Sequence, residues 1–332
     1  MKIKRVSKIK VDHEIKLQEV MSDKPRNFDG EPNVYIGTYQ SLDKYPKEFF
    51  EQFHTVACDE AQGSKSATLT NILKRTFKHA YNRFGVSGTF PEDDTLEILT
   101  IQSVLGPKVT QIEASTLVKS GTITPMEIKS VILNHSSGEV NERLSYIRRM
   151  GAGAEAYRFE MEYIQQSEKR LEFIKKMVDK CSNNTLLLFN TIEYGKKIFN
   201  KLREEIKDKD FYYIAGEIKN KDREVIKKSM ERTDGRVVVL VGSYGCLSTG
   251  VSINAIFNVI FADPPGKSEG KIIQSIGRSL RKHDEKTLAT IFDIVDVFDP
   301  KELNNILYKH YMDRKTFYIK RKYPYKEIKI NL

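Results

Sequence analysis

Short apolar segments alternate with helical stretches along this chain, and the alternation occurs twice. In the first half, residues 34–37, 55–58 and 83–86 have the composition of β-strands, and helical patterns lie at 46–50 and 67–76. In the second half, residues 185–189 (TLLLF) form an uninterrupted apolar run, which is typical of a strand buried on both faces. Strands that alternate with helices predict an α/β fold with a parallel sheet.

The second set of strands continues at 211–214, 236–241, 258–262 and 288–294, with helices at 194–206, 222–231 and 271–282. Residues 105–137 mix short strands with Gly and Pro, as a crossover does, and a polar helical region follows at 139–180. A length of 332 residues suffices for two domains of roughly 100–200 residues each. We therefore predict domains at 1–125 and 126–300, followed by a basic, aromatic C-terminal tail at 301–332.

The composition narrows the class of protein. A net charge of +10 suggests a polyanionic partner. No run approaches the roughly 18 apolar residues of a membrane span, and the charged N-terminus lacks the apolar stretch of a secretory signal. Cys58, Cys181 and Cys246 form no C-x-x-C pair, which excludes a disulfide framework or a zinc ribbon and predicts a reducing, intracellular setting.

Two adjacent carboxylates, Asp59 and Glu60, directly follow the strand at 55–58. The carboxyl ends of parallel strands are where open α/β sheets bind ligands. There, one carboxylate can hold Mg²⁺ while the next polarises a water for attack on a γ-phosphate. Ser87 and Thr89 end the next strand. An Asp-Glu pair is common in proteins, and Ser87 and Thr89 taken alone favour an ordinary turn after a strand. The assignment of phosphate chemistry to these residues therefore depends on the other motifs in the chain.

The most specific pattern is Q-x-x-G-R-x-x-R, which runs from Gln274 to Arg281 on a predicted helix. Arg278 and Arg281 are three residues apart and therefore share one helix face. Two guanidinium groups in one place suit a phosphate whose charge grows during transfer. A solvated basic face is the alternative, but it does not account for the Gln and Gly at matching offsets. Upstream, residues 242–254 form a loop with three glycines whose amides can approach phosphate.

In this order, the blocks 37–42 (GTYQSL), 59–62 (DEAQ), 84–89 (FGVSGT), 213–217 (YIAGE), 243–252 and 274–283 resemble the motifs of the superfamily-two helicases. Within that superfamily the chain resembles the UvsW-type ATP-dependent DNA helicases of phages, from about Asn33 onward. The resemblance implies two RecA-like parallel-sheet lobes, the first N-terminally incomplete. It also implies ATP and Mg²⁺ as cofactors, DNA, RNA or R-loops as partners, and work in recombination and repair in the host cytoplasm.

The resemblance also implies roles for single residues. Asp59 would coordinate Mg²⁺, and Glu60 would activate the attacking water. The residues that couple the nucleotide to movement of the lobes would be Gln62, Ser87 and Thr89. The γ-phosphate sensor and arginine fingers would be Gln274, Arg278 and Arg281, with Gly250 and Ser252 also at the nucleotide. Contacts to the nucleic-acid backbone would come from Thr38, Gln40, Ser248 and Thr249. Many relatives have His in place of Gln62 and Asp in place of Ser252.

The chain departs from the family in one larger respect, because it contains no G-x-x-x-x-G-K-[ST] phosphate loop. The glycines at 63–66 and 151–154 lack the Gly-Lys pair. In the family the loop precedes the block near Asn33 by more residues than this chain has. We therefore predict that the chain alone does not hydrolyse ATP. Two sources of the missing part stay open: a separate polypeptide that supplies the loop, as in a split gene, or a choice of start site that leaves the loop out of this chain. A catalytically inactive nucleic-acid-binding remnant is the alternative. A remodelling translocase is disfavoured by the short span between lobes.

The predicted tail alternates aromatic with basic residues, from Tyr308 to Lys326. Such a pattern can stack bases and hold phosphates. The alternative, which we favour, is a helix and an extended segment whose aromatic side chains pack onto the second domain.

Overall fold

The structure, a computed structural model, describes residues 14–21, 32–88, 90, 95–135, 138–216, 220–232, 235–247, 254–263, 265, 272, 275–277, 281–283, 285–299, 303 and 305–332. The chain divides into two compact units, Met1–Gln111 and Ile112–Leu332. Within the described ranges, no helix has the length and apolar character that crossing a membrane requires.

The first unit contains two parallel, two-stranded ribbons. β1 (Leu17–Val20) pairs with β2 (Val34–Gly37), and β3 (Thr55–Cys58) pairs with β4 (Asn82–Gly85). The helices are α1 (Tyr39–Leu42), α2 (Ala67–Arg75) and α3 (Leu96–Leu105), with 3₁₀ helices at Lys47–Gln52 and Ala61–Lys65. The predicted strands at 34–37 and 55–58 are confirmed, whereas the strand predicted at 83–86 lies one residue earlier.

Each ribbon packs one face and exposes the other. On the packed faces, the Tyr35 ring lies 5.7 Å from that of Phe49 and 5.0 Å from that of Phe53, and Arg83 Nε donates to the Val104 carbonyl at 2.7 Å. The opposite faces and their extensions expose apolar side chains: Ile15, Leu17, Val34, Ile36, Phe84 and Val86. Parallel strands in α/β proteins normally bury both faces. Each of the two ribbons is therefore covered on only one of its two faces.

The second unit is built on a seven-stranded sheet in which all neighbours are parallel. Its strands are β5 (Met126–Asn134), β6 (Thr185–Phe189), β7 (Asp210–Ile214), β8 (Val238–Ser243), β9 (Asn258–Phe261), β10 (Ala289–Val297) and β11 (Tyr325–Asn331). Their spatial order is β11, β5, β10, β9, β6, β8, β7. The predicted α/β class with a parallel sheet is confirmed.

The helices of the second unit are α4 (Ala114–Lys119), α5 (Gly138–Arg149), α6 (Gly153–Gln166), α7 (Glu168–Asp179), α8 (Ile192–Glu205), α9 (Asn220–Met230), α10 (Tyr244–Leu247) and α11 (Ile306–Lys320). The polar region predicted at 139–180 is thus three helices. Gly151, between the first two, has a φ of 70°, in the left-handed region that favours glycine. The unit begins before the predicted boundary at 125/126, and Ile123 packs against its core.

The core lies on both faces of β6, whose five residues are all buried. Residues of α7 and α8 pack on one face, and residues of α9 and α11, with Ile272 and Ile276, pack on the other. The chain leaves β6 toward β7 on one side of the sheet and leaves the adjacent β9 toward β10 on the other. Such a reversal opens a crevice outside the carboxyl ends of the two strands, where α/β sheets bind ligands.

The segment predicted as a tail forms the last helix and strand of this unit. Strand β11 pairs with β5 along its whole length. The aromatic side chains of Tyr311, Phe317 and Tyr318 are buried. Arg314, also buried, makes two hydrogen bonds of 2.9 Å with the carboxylate of Asp293. Packing onto the second unit therefore accounts for these aromatic residues, and the basic residues of the segment are left largely at the surface.

Candidate functional site

The two carboxylates predicted as catalytic lie in the turn that follows β3. Asp59 and Glu60 are both exposed, and the Glu60 backbone amide donates to Asp59 Oδ1 at 2.8 Å. Glu60 has φ 51° and ψ 49°, a left-handed conformation that costs a non-glycine residue on the order of 1–3 kcal/mol. Strain of this kind persists where the surroundings fix it. Here the next amide, of Ala61, donates to the Val86 carbonyl at 2.9 Å.

A side-chain relay joins this turn to the end of β4. Gln62 Nε2 donates to Glu60 Oε2 at 2.6 Å, and the Ser87 hydroxyl donates to Gln62 Oε1. The amide of Gln62 thus uses its donor on the carboxylate and its acceptor on the hydroxyl. The Glu60 carboxylate is thereby linked to the Ser87 hydroxyl through a single side-chain amide. Thr89, predicted to act with Ser87, lies outside the described residues.

Close packing beneath the turn fixes the relay in place. Ala61 is fully buried, and a Cβ at Gly85 would lie 3.0 Å from the Ala61 Cβ and 2.8 Å from Leu105 Cδ1. Only a glycine fits there without displacement. Cys58, the last residue of β3, has its thiol 3.7 Å from the Ser64 hydroxyl, and burial raises the pKa of that thiol. Cys58 is therefore a neutral packing residue in this turn.

The donor set suits a magnesium ion carried by a nucleotide. Mg²⁺ in proteins is usually held by one or two carboxylates, with water and substrate phosphates completing its coordination. Asp59 offers an exposed carboxylate of which one oxygen already accepts a backbone hydrogen bond. Across the described ranges, no cluster of three or more His, Cys, Asp or Glu side chains is arranged for an all-protein metal site.

Two predicted nucleic-acid contacts lie just after β2. The Thr38 hydroxyl caps α1, accepting from the Ser41 amide at 3.4 Å and donating to the Ser41 hydroxyl at 3.0 Å. Thr38 and Gln40 are both exposed. The cap determines the direction in which the backbone leaves β2, and Gln40 lies in the first turn of α1. Their contact with a nucleic acid stays a prediction.

In the second unit, Arg281 is the described member of the predicted arginine pair. It is half-buried, and its carbonyl accepts from the Thr124 hydroxyl at 3.3 Å. Upstream, Ile272, Ser275 and Ile276 are helical and buried, as the inner face of the predicted helix requires. The other predicted site residues of this unit lie outside the described residues: Gln274, Arg278, Ser248, Thr249, Gly250 and Ser252.

Sequence reasoning missed a buried carboxylate at the switch point. Asp263 follows β9 and accepts from the Asn190 amide, after β6, at 3.1 Å, and from Gln165 Nε2 at 3.4 Å. Its carbonyl accepts from the Tyr244 hydroxyl at 2.9 Å, and burial raises the pKa of its carboxyl. Asp263 therefore ties together the ends of three neighbouring strands. The signal was available, since an Asp after an apolar strand is what drew attention to Asp59.

A second buried cluster lies at the carboxyl ends of the strands in the same sheet. Arg170 of α7 binds both oxygens of Asp296 at 2.8 and 2.9 Å, and His135 Nε2 lies 2.8 Å from Asp296 Oδ1. The positive charge of Arg170 and the bond from His135 lower the pKa of Asp296 to about 2, against the opposing effect of burial. These residues join the carboxyl end of β5 to β10.

Comparison with known proteins agrees with the predicted family. The model of the helicase conserved C-terminal domain matches residues 169–283. The ATP-dependent DNA helicase UvsW of Enterobacteria phage T4 is 30% identical over 324 residues, which cover 94% of this chain and 61% of the relative. A putative ATP-dependent RNA helicase of African swine fever virus is 24% identical over 89% of this chain and 55% of its own length.

A solved structure gives the same result. The crystal structure of T4 UvsW matches with a TM-score of 0.50 and 25% identity, over 95% of this chain and 62% of that one. The chain thus spans about 55–62% of the length of these proteins.

Proposed function

We propose that the chain, which belongs to the superfamily-two helicases of the UvsW type, works in an ATP-driven motor that unwinds or branch-migrates DNA. The substrates proposed are branched DNA and R-loops, in recombination and repair within the host cytoplasm. The observation that carries the proposal is the acidic turn itself, in which Glu60 is held in a left-handed conformation and linked through Gln62 to Ser87.

The acidic turn supplies the chemistry of phosphoryl transfer. Asp59 would hold the Mg²⁺ of the nucleotide, which neutralises charge on the β- and γ-phosphates when bound. Glu60 would orient and polarise the attacking water, because it is an exposed carboxylate in the same turn as Asp59. Gln62 and Ser87, with Thr89, would then report the state of the nucleotide to the rest of the unit.

The second unit would supply the positive charge and part of the grip on the nucleic acid. Proposed roles at the nucleotide fall to Gln274, Arg278, Arg281, Gly250 and Ser252. The nucleic-acid backbone would be held by Thr38, Gln40, Ser248 and Thr249. Contacts of this type read phosphate and sugar and not sequence, which suits a motor that moves along any strand.

A segment with a phosphate loop would complete the nucleotide site, since the 332 residues contain none. Without the lysine and the amide cradle of that loop, the β- and γ-phosphates lose most of their donors. We propose that this segment covers the open faces of the first unit's ribbons. The exposed side chains there, among them Ile36 and Phe84, are 42% and 57% accessible and lie on strands of a type that is usually covered on both faces.

Docking of such a segment can be tested by co-purification. A tagged N-terminal helicase segment that carries a phosphate loop should retain the wild-type chain and lose it when Phe84→Asp places a charge on the open face. Phe77, which is 48% exposed but carries the Arg83 guanidinium on its ring at 4.6 Å, provides the matched control Phe77→Asp. Equal retention of wild type and Phe84→Asp would contradict docking on this face.

The second candidate function is a nucleic-acid-binding remnant without turnover. The +10 charge of the chain favours it, because charge alone suffices for binding of this kind. The two functions differ in one observable. A motor binds single-stranded DNA in a manner that depends on both salt and nucleotide, once the phosphate loop is supplied. A remnant shows the salt dependence alone.

A further inference from the structure

Lys286 is a buried lysine whose ammonium group holds two backbone carbonyls. Its Nζ donates to the carbonyl of Asn254 at 2.8 Å and to that of Ile256 at 3.0 Å. The residue is only 6% exposed, and the Phe257 ring centroid lies 5.8 Å from Nζ. Burial lowers the pKa of Lys286 to about 8, so the group is still mostly charged at pH 7.

The two ends of this clamp belong to different functional segments. Residues 254–256 begin two positions after Ser252, at the end of the loop predicted to contact nucleic acid. Lys286 lies five positions after Arg281, and the ring of His283 meets that of Phe257 at 5.8 Å. The Arg281 carbonyl is held by Thr124. The clamp therefore joins the end of the predicted nucleic-acid loop to the end of the arginine-bearing segment.

A buried ammonium is costly unless its hydrogen bonds are made. An apolar side chain would fill the same volume without that cost, but it would leave the carbonyls of Asn254 and Ile256 without this donor. Compared with an apolar side chain, the lysine therefore lowers the stability of the fold but holds the backbone between Asn254 and Ile256 in a defined position. Such a cost is understandable where the position of the adjacent loop matters.

We propose that Lys286 is a positioning residue that fixes the backbone after the nucleic-acid loop relative to the arginine-bearing segment. Through its bonds to Asn254 and Ile256 it would support binding of nucleic acid by the part of the chain that precedes them. The proposal rests on the proposed function, since it presupposes that the chain binds nucleic acid through that loop.

The chain offers a matched control in Lys209. This lysine is also 6% exposed, and its Nζ donates to the carbonyls of Val178, Asp179 and Cys181, at the end of α7. No predicted site residue lies in that part of the chain. Lys209→Met and Lys286→Met therefore remove the same group from equally buried sites, and only the second lies between the two functional segments.

The test is binding of a fluorescein-labelled, single-stranded DNA oligonucleotide to the full chain, measured by anisotropy. Urea unfolding of each variant is measured alongside. Lys286→Met should weaken binding about tenfold, which corresponds to about 1.4 kcal/mol of coupling. Lys209→Met should stay within about twofold of wild type, although both variants lose stability. Lys286→Arg, which keeps the charge and the donors, should recover part of the loss.

Two outcomes overturn the proposal: Lys286→Met binds as wild type does, or Lys209→Met loses as much affinity as Lys286→Met. If Lys286→Met does not fold, the pair Lys286→Gln and Lys209→Gln is compared with the same criterion. If wild type itself shows no salt-sensitive binding, the proposed function fails, and that result is distinct from a failure of the positioning role.

Discussion

The side-chain amide of Gln62 donates to a carboxylate oxygen of Glu60 at 2.6 Å and, through its own oxygen, accepts from the Ser87 hydroxyl. The exposed carboxylate at the end of β3 is thereby connected to the end of β4. A helicase must transmit the state of its nucleotide to the parts that move. We propose that these two hydrogen bonds serve that purpose.

Removal of the Ser87 hydroxyl should separate hydrolysis from unwinding. With a phosphate-loop segment supplied, we expect Ser87→Ala to keep ATP hydrolysis within about threefold of wild type and to lower fork unwinding about tenfold or more. Ser103→Ala removes a hydroxyl that bonds the Thr100 carbonyl within its own helix, α3, and it should change neither rate. Equal losses of hydrolysis and unwinding in Ser87→Ala would argue against a coupling role.

The buried Asp296 should make stability depend on acid pH. Its pKa of about 2 is below the usual value, so its contribution is fully present above about pH 4 and is lost as the pH falls toward 2. Asp296→Asn leaves the buried Arg170 without its charge partner and should cost about 3–5 kcal/mol at pH 7. That difference from wild type, measured by urea unfolding, should shrink between pH 4 and pH 2.5.

An exposed ion pair is the control for Asp296. Asp43 pairs with Arg75 at 3.0 Å, with side chains 43% and 30% accessible. Asp43→Asn should change stability by less than about 1 kcal/mol, because water and salt screen such a pair. A cost for Asp43→Asn as large as that of Asp296→Asn would contradict the importance of burial.

Gly195 should tolerate no side chain. A Cβ there would lie 2.4–2.6 Å from three ring atoms of Phe189, in the core beneath α8. Gly195→Ala should therefore destabilise the second unit by about 1–3 kcal/mol, despite the better helix propensity of alanine. Gly153 begins α6 with nothing within 4 Å of its built Cβ, so Gly153→Ala should be neutral or slightly stabilising in the same unfolding assay.

The last helix should be part of the core. Phe317 is 2% exposed and packs with the buried residues of the sheet, whereas Ile319 is 55% exposed. Phe317→Ala should cost about 3–5 kcal/mol of unfolding free energy, and Ile319→Ala less than about 1 kcal/mol. Similar small costs for both would mean that the segment is an appendage and not a layer of the second unit.

The sequence predicted those strands whose own residues show a clear apolar pattern. The uninterrupted apolar run of β6 was readable because burial on two faces excludes polar residues. The strand before Asp59 was readable from its short run TVAC, although its residues alternate between exposed and half-buried. Strand β11 was predicted only as an extended segment, since its sequence (YKEIKIN) is charged and lies on an edge of the sheet. Edge strands often carry lysines, and these charged residues make a strand difficult to recognise from its sequence.

Contacts between distant residues could not be predicted from the sequence. The bond between Ser87 and Gln62 spans 25 positions and depends on the register of β3 with β4, in which Cys58 faces Gly85. Lys286 belongs to no recognised motif, and Asp263 is marked in the sequence only by its place after an apolar strand. Their roles follow only from where the backbone brings Asn254 and Asn190.

The most direct test of the central claim is DNA-stimulated ATP hydrolysis by the purified chain, with and without a supplied N-terminal segment that carries the phosphate loop. We predict no turnover by the chain alone and DNA-stimulated turnover on addition of the segment, which Glu60→Gln in this chain abolishes. Robust turnover by the chain alone would contradict the need for the loop. Turnover that survives Glu60→Gln would contradict the role of the acidic turn.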